Sequence, residues 1–357
     1  MIKEILIKNF MAHSYLSCKD IPAINIVIGR NDTGKTGLLK LLYATGKTLE
    51  IYSLKKKSGE VSFKKELAEK LQNTFMPRKN SLGELVQKGS KGGLEIDMIF
   101  NVSNKYKQTI NFSFGEKTES TITHCIDIVE PLPNGDMNVL FIPAKEVLTA
   151  FNDIRSMRES FYGRGFDDTY LDLIKALNLQ PTKGRVASEL STVNKSLEDL
   201  FEGKIEQTNQ PDQPFIFKKG NQQFAMQQTA EGIKKIGILT TLITNRQLGK
   251  GTILFMDEPE TALHPNAIRE LVEMLVAMSK GGVQIFLASH SYFIIKQLAL
   301  CAKRDKLNIL CWNLEKETDR PVTNSFHDLI DGILPDNTIV NEALAMYNQD
   351  LKIQLGL

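Results

Sequence analysis

Lys35 and Thr36 close an eight-residue stretch, Gly29 to Thr36 (GRNDTGKT), whose two glycines let a backbone wrap closely around phosphate oxygens. In such a cradle the amides of Gly29, Arg30, Asn31, Asp32, Thr33 and Gly34 face the phosphates. Lys35 reaches the β and γ groups, and the Thr36 hydroxyl holds Mg²⁺. Far along the chain, TILFMDEPETALHP presents Asp257 and Glu258 side by side. Two acids there have separable tasks: Asp257 joins the Mg²⁺ shell, and Glu258 orients and deprotonates an attacking water. Downstream, QIFLASHS ends on His290, whose imidazole can hydrogen-bond a γ-phosphate and sense its loss.

Each of these groups needs an element to carry it. The apolar run Ile24 to Ile28 (INIVI) before the loop reads as a strand, and GLLKLLY after it as a helix, reaching about Gly46, whose start adds a positive dipole end. Thr252 to Met256 reads as a strand that delivers Asp257 to its end, where Pro259 stops the ladder. A helix is expected over Pro265 to Lys280, with Ile268, Leu271, Leu275 and Met278 on one stripe, then a strand over Val283 to Ala288 and a helix from Ser291 to about Ala302. One strand–helix–strand unit in a parallel sheet returns the chain to the same sheet edge, so His290 should stand beside Asp257.

The remainder is scaffold in this reading. Three strand-like runs fill Met1 to Ile28. Between Tyr52 and Gly93 basic residues outnumber acidic ones, which reads as a partly helical surface insertion, either a solvated charged face or a binder of phosphates. Leu94 to Val102, Thr109 to Gly115 and Thr121 to Val129 alternate like antiparallel strands, and Val139 to Ile142 is a short buried strand. Ala144 to Lys204 is helical in pattern, Glu206 to Pro214 is a polar loop, Phe215 to Phe224 a hairpin, and Ala230 to Arg246 a helix.

Composition narrows the class without naming a function. The 357 residues are 42% apolar and 24% charged, with a formal net charge of +2, which does not by itself argue for nucleic acid. Cys18, Cys125, Cys301 and Cys311 stand far apart with no CxxC, against a disulfide framework or a zinc site. The charged alternation of MIKEILIKNF is not a signal peptide, and no apolar run approaches 18 residues. The cytoplasm is therefore the expected compartment, with no membrane contact.

More than half the chain separates Lys35 from Asp257, and Thr229 to Lys234 (TAEGIK) lies just before the second site, opening a helix. With IKNFMAHSYL, INIVIGRNDTGKTGLLKLLY, DEPETALHP and LASHS, this order resembles the ABC-type ATPases of the SMC, RecF and OLD group, and in the last two motifs its OLD-type, anti-phage branch. The resemblance runs from Met1 to about Ala302. It implies an α/β fold: a P-loop NTPase head with a mixed or parallel core sheet flanked by helices, an antiparallel β lobe and a helical lobe. It places the first ATPase lobe in residues 1–143, with the basic insertion at about 52–93. The helical lobe follows over 144–214 and the second ATPase lobe over 215–357. It implies ATP and Mg²⁺ as cofactors, Glu258 and His290 as catalytic residues, and Thr36 with Asp257 at the metal. In that family two heads close face to face around two ATP molecules, so a homodimer or higher even oligomer is implied. Thr229, Ala230 and Gly232 would then read the partner's ATP, Thr261 to Pro265 would cross the interface, and Val139 to Glu146 would occupy the Q-loop neighbourhood, though without a glutamine.

Departures from the family pattern shape the expected activity. Ala230 stands where the signature offers a serine hydroxyl to the partner's γ-phosphate, which predicts weak closure and slow turnover unless Thr229 substitutes. No sustained heptads occur, against a long-armed tether. Lys303 to Leu357 contains no DxD pair for a two-metal nuclease, and Asp328, Asp331 and Asp336 read as loop and helix-start residues. The first reading is an ATP switch controlling a separate effector, a nuclease or toxin of a bacterial defence system. The alternative is a RecF-like clamp binding DNA through the basic insertion, and the ATPase of a transporter is disfavoured by the incomplete signature.

Overall fold

In a computed structural model, residues 1–56, 62–103, 106–126, 132, 137–159, 165–179, 188–317 and 320–355 are described. The chain starts with β1 (Ile2–Phe10), β2 (His13–Cys18) and β3 (Ile24–Gly29), followed by α1 (Lys35–Lys55) and α2 (Phe63–Phe75). Next come β4 (Leu94–Ser103), β5 (Tyr106–Phe114), β6 (His124–Cys125) and β7 (Asn138–Ile142). Three helices, α3 (Phe151–Glu159), α4 (Asp168–Leu177) and α5 (Ser188–Leu200), lead to β8 (Lys204–Gln207), β9 (Phe215–Lys219) and β10 (Gln222–Ala225). The last stretch holds α6 (Glu231–Thr244), β11 (Thr252–Asp257), α7 (Pro265–Lys280), β12 (Gln284–Ser289), α8 (Tyr292–Asp305), β13 (Ile309–Glu315), β14 (Thr323–Asp328) and α9 (Thr338–Leu355).

A six-stranded sheet in the order β14-β13-β3-β12-β11-β7 organises the molecule, parallel except for β14. β3, β11 and β12 are buried at every residue, as expected of parallel strands covered on both faces. Alternate side chains feed two cores. Ile24, Ile26, Ile28, Leu254 and Leu287 enter the one that contains α6, α7 and α8. Val27, Ile253, Phe255, Phe286 and Trp312 enter the one shared with α1 and the antiparallel sheet β2-β1-β4-β5-β6. Buried Gln284 staples the two sheets, accepting from Ile2 N at 2.7 Å and donating to Ile2 O at 2.8 Å. A small antiparallel sheet, β10-β9-β8, sits before α6.

Several sequence expectations need adjustment. α1 runs to Lys55 rather than ending near Gly46. A Cβ at Gly46 would stand 3.5 Å from Phe100 and Val139, an ordinary contact distance, and the glycine lies within the helix without stopping it. The basic segment is less superficial than its charge suggests, because α2 buries Phe63, Leu67 and Leu71 in the second core and Lys70 with them. The strand expected over Thr121 to Val129 is only His124–Cys125, with 127–131 outside the described residues. The polar segment after Lys204 begins with strand β8, and β13, β14 and α9 follow beyond the last expected helix. Among the cysteines, Cys18, Cys301 and Cys311 are buried free thiols and Cys125 is half-buried. No helix of the described residues is long and apolar enough to cross a membrane.

Candidate functional site

The loop between β3 and α1 is shaped by what its glycines approach. At Gly29, φ is +150° and a Cβ would lie 2.4 Å from the Leu314 carbonyl of β13, so only glycine fits. Gly34, at φ +82°, packs on His13, whose Nε2 would be 2.7 Å from an added Cβ. His13 is fully buried, burial pushes its imidazole below the ordinary value, and its Nδ1 has no hydrogen-bond partner among the described residues. Arg30, Asn31 and Asp32 are exposed at the rim, and Asp32 is paired there with Lys316 from just beyond β13. Thr33 is buried and its hydroxyl donates to Arg30 O at 2.9 Å.

At the centre of the loop Lys35 is 6% exposed, its ammonium donating to Gly29 O and Arg30 O at 2.9 Å each. Burial pushes this lysine down, while the charges of Glu258, Asp257 and Glu260 oppose that shift. Thr36, one residue on, donates its hydroxyl to both carboxylate oxygens of Asp257 at 3.0 Å. Burial raises the Asp257 carboxyl, and the neighbouring Glu258 charge adds to the rise; the Thr36 hydroxyl, Lys40 and Lys35 work against it. A hydroxyl and a carboxylate at this spacing are hard oxygen donors, the type Mg²⁺ takes.

β11 and β12 bring the other pair together. Asp257 ends β11, and Glu258 turns away in a left-handed conformation, φ +46°, while its N–H still donates to Ala288 O at 2.9 Å. The Glu258 carboxylate stands 3.1 Å from His290 Nε2, just beyond β12, and remains partly open to solvent. Thr261 lies within 3.4 Å of its other oxygen. Glu260 accepts from the Ser289 hydroxyl at 2.7 Å and from His290 N at 3.0 Å. His264 caps α7 through its ring, Nδ1 accepting from Asn266 N.

The signature residues occupy the start of α6, against the loop after β11 and not in the phosphate cradle. Ala230 is its cap residue and carries no side-chain bond; it and Glu231 are exposed. The Thr229 hydroxyl is engaged locally, donating to Ala225 O at 3.0 Å, which tells against its standing in for the absent serine. A Cβ on Gly232 would fall 2.8 Å from Ala262 O, so this glycine also permits close packing within one chain. Near the expected Q-loop position, Glu146 accepts from Leu148 N and Thr149 N and lies 3.7 Å from Lys234.

Sequence spacing gave no hint of the roles of five further side chains. Buried Lys235 of α6 donates to Glu258 O at 2.9 Å, joining the signature helix to the acidic loop. Lys316 reaches the phosphate loop from just beyond β13, a strand the sequence pattern had not revealed. Lys40, one turn into α1, pairs with Asp167, the cap of α4, and Tyr43 donates to Asp172 at 2.7 Å. Lys70 of α2 pairs with both Asp168 and Asp172. These contacts depend on side chains meeting across elements, for which a single sequence carries no periodic signal.

Comparison with known proteins follows the same lines. The family described as "AAA domain, putative AbiEii toxin, Type IV TA system" matches residues 24–296. The Old nuclease of Escherichia phage P2 is 48% identical over 40 residues, which is 11% of this chain and only 7% of that protein's length. Among solved structures, an SMC head bound to the C-winged helix domain of ScpA is similar at TM-score 0.55 and 12% identity, covering 92% of this chain and 98% of that one. An SMC head with an extended coiled coil, bound to the C-terminal domain of ScpA derived from Pyrococcus furiosus, is similar at 0.51 and 11%, covering 98% and 99%. The SMC head domain from Thermotoga maritima is similar at 0.50 and 13%, covering 92% and 98%. At such identities the likeness is one of fold, an α/β head with a mixed core sheet and flanking helices.

Proposed function

We infer that this chain, which belongs to the AAA-domain family of the AbiEii description and is an ABC-type ATPase of the SMC and OLD group, binds and hydrolyses ATP as a switch. The observation that carries the reading is the convergence of Lys35, Thr36 and Asp257 on one cradle, with Glu258 and His290 paired beside it. Gly29 to Gly34 present amides to the phosphates, and Lys35 exchanges its two loop carbonyls for phosphate oxygens. Thr36 and Asp257 would hold Mg²⁺, which would supply neutralisation of phosphate charge there. Glu258 accepts the proton of the attacking water. His290, 3.1 Å from that carboxylate, keeps it aimed and meets the γ-phosphate in this reading.

The start of α6, where Ala230 is exposed and Gly232 buried, faces a second head in this reading, so ATP closes a homodimer and hydrolysis reopens it. The missing serine hydroxyl makes closure weak and turnover slow. Two of the similar SMC heads are bound to ScpA domains, which supports a protein partner for this head also. The AbiEii description and the short Old nuclease match favour a nuclease or toxin as that effector, in anti-phage defence. The clamp alternative has less support, since Lys70 is committed to buried ion pairs and Lys55 to Glu66.

Titration calorimetry with ATP and Mg²⁺, beside a phosphate-release assay, tests the reading. Binding in the micromolar range with slow release is the expected result. A purified chain that ignores every nucleotide offered would overturn it.

A further inference from the structure

Three acids leave the end of β11, and only Glu260 has no task in the phosphate chemistry. Its Oε1 accepts two hydrogen bonds from the segment that carries His290: the Ser289 hydroxyl at 2.7 Å and the His290 amide at 3.0 Å. Ser289 Oγ in turn accepts from Ser291 N at 3.0 Å, so one carboxylate oxygen organises three successive residues where β12 gives way to α8. The other oxygen, Oε2, is buried and has no hydrogen-bond partner among the described residues. A buried carboxylate with a bare oxygen is costly, and a loop acid with no role would turn to solvent. Something holds it inward.

The ring it closes supplies the reason. From Glu258 the backbone passes Pro259 to Glu260, crosses to the His290 amide, and returns through the imidazole to the Glu258 carboxylate at 3.1 Å. The position of the imidazole is set by its own backbone, and Glu260 is what fixes that backbone. From α6, Lys235 holds the Glu258 carbonyl at 2.9 Å, so both ends of the acidic turn are tied. We propose that Glu260 is a positioning residue for hydrolysis: it fixes the Ser289–His290 peptide so that His290 stands against Glu258. In this role it acts through His290 rather than on nucleotide or metal. The kinetic part of this inference rests on the ATPase reading above, while its hydrogen-bond part does not.

The experiment compares the intact chain with Glu260→Ala and Glu260→Gln. Three quantities are read: kcat and KM for Mg-ATP, calorimetric affinity for a non-hydrolysable ATP analogue, and amide hydrogen exchange of residues 289–291 without nucleotide. Glu260→Ala should lower kcat roughly 10- to 100-fold, the scale of a lost hydrogen bond to a charged group. Its analogue affinity should stay within about threefold of wild type, since Lys35, the loop amides, Thr36 and Asp257, which carry nucleotide binding in that reading, are left in place. Exchange at 289–291 should accelerate. Glu260→Gln keeps an acceptor oxygen and should restore both the protection and most of kcat. The proposal fails if Glu260→Ala leaves kcat or the exchange unchanged. It also fails if kcat and affinity fall together, or if Glu260→Gln regains protection yet stays as slow as alanine. A wild-type chain with no turnover at all would count against the ATPase reading instead, and the exchange comparison would still decide whether Glu260 holds the His290 peptide.

Discussion

The Thr36 hydroxyl donates to both oxygens of Asp257, 3.0 Å to each, across 221 residues of sequence. That hydrogen bond joins the first turn of α1 to the last residue of β11, the two places from which the proposed cation would take oxygen ligands. Burial pushes the Asp257 carboxyl up before any cation arrives, and the hydroxyl offsets part of that cost. The pair is thus assembled by the apo fold. In the proposed reading, nucleotide and Mg²⁺ would exchange partners within it.

Lys35 and Glu258 should separate binding from chemistry. Lys35→Ala is expected to weaken ATP binding by roughly 100-fold or more, the scale of lost charge-assisted contacts. Glu258→Gln should bind ATP normally, stop phosphate release and accumulate ATP-loaded dimers in light scattering. Equal loss of binding in both variants would contradict the division of roles.

Ala230→Ser restores the hydroxyl that the signature position lacks. It should lengthen the lifetime of the ATP-closed dimer roughly tenfold or more, since a hydrogen bond to a charged group contributes about 1.5–3 kcal/mol. An unchanged lifetime in sedimentation or cross-linking assays would mean that Ala230 does not face the partner's nucleotide.

Gly232 offers a test within a single chain. Its missing Cβ lets α6 approach Ala262 O, where an added carbon would sit at 2.8 Å. Gly232→Ala should cost about 1–3 kcal/mol of stability without nucleotide, as overpacking does. Thermal melting of the apo protein reads this. An unaltered melt combined with lost dimerisation would assign the glycine to the interface alone.

Lys70 compensates two buried acids of α4, Asp168 and Asp172, from 5% exposure. Burial alone would raise the Asp172 carboxyl, but the Lys70 charge and hydrogen bond, with Lys47 and Tyr43, outweigh it and hold the group well below the ordinary carboxylate range. A depressed native value stabilises the fold above the unfolded value of about 3.9 and is lost as pH falls through the native one, so wild type should weaken progressively below about pH 4. Lys70→Met strands the acids and should cost about 3–5 kcal/mol at pH 7. The deficit should shrink toward pH 3, where the stranded Asp172 protonates, and denaturant melts at the two pH values check the sign.

Sequence alone determined the local parts of this protein. The strand–glycine loop–helix order around Gly29 to Thr36, the acids ending an apolar run at Asp257, and the strand exit at His290 are each written in a dozen neighbouring residues, because turn chemistry and hydrophobic period are short-range properties. The order of these parts pointed to an α/β head with the second half of the site late in the chain. Only the tertiary structure decided where side chains meet: Lys235 on the Glu258 carbonyl, Glu260 on the His290 amide, Lys70 between two acids. It also carried α1 past Gly46 to Lys55 and brought β13 against the phosphate loop. Such contacts join residues far apart in sequence, and their energies come from burial and pairing after the sheets have formed, which no local pattern of a single chain encodes.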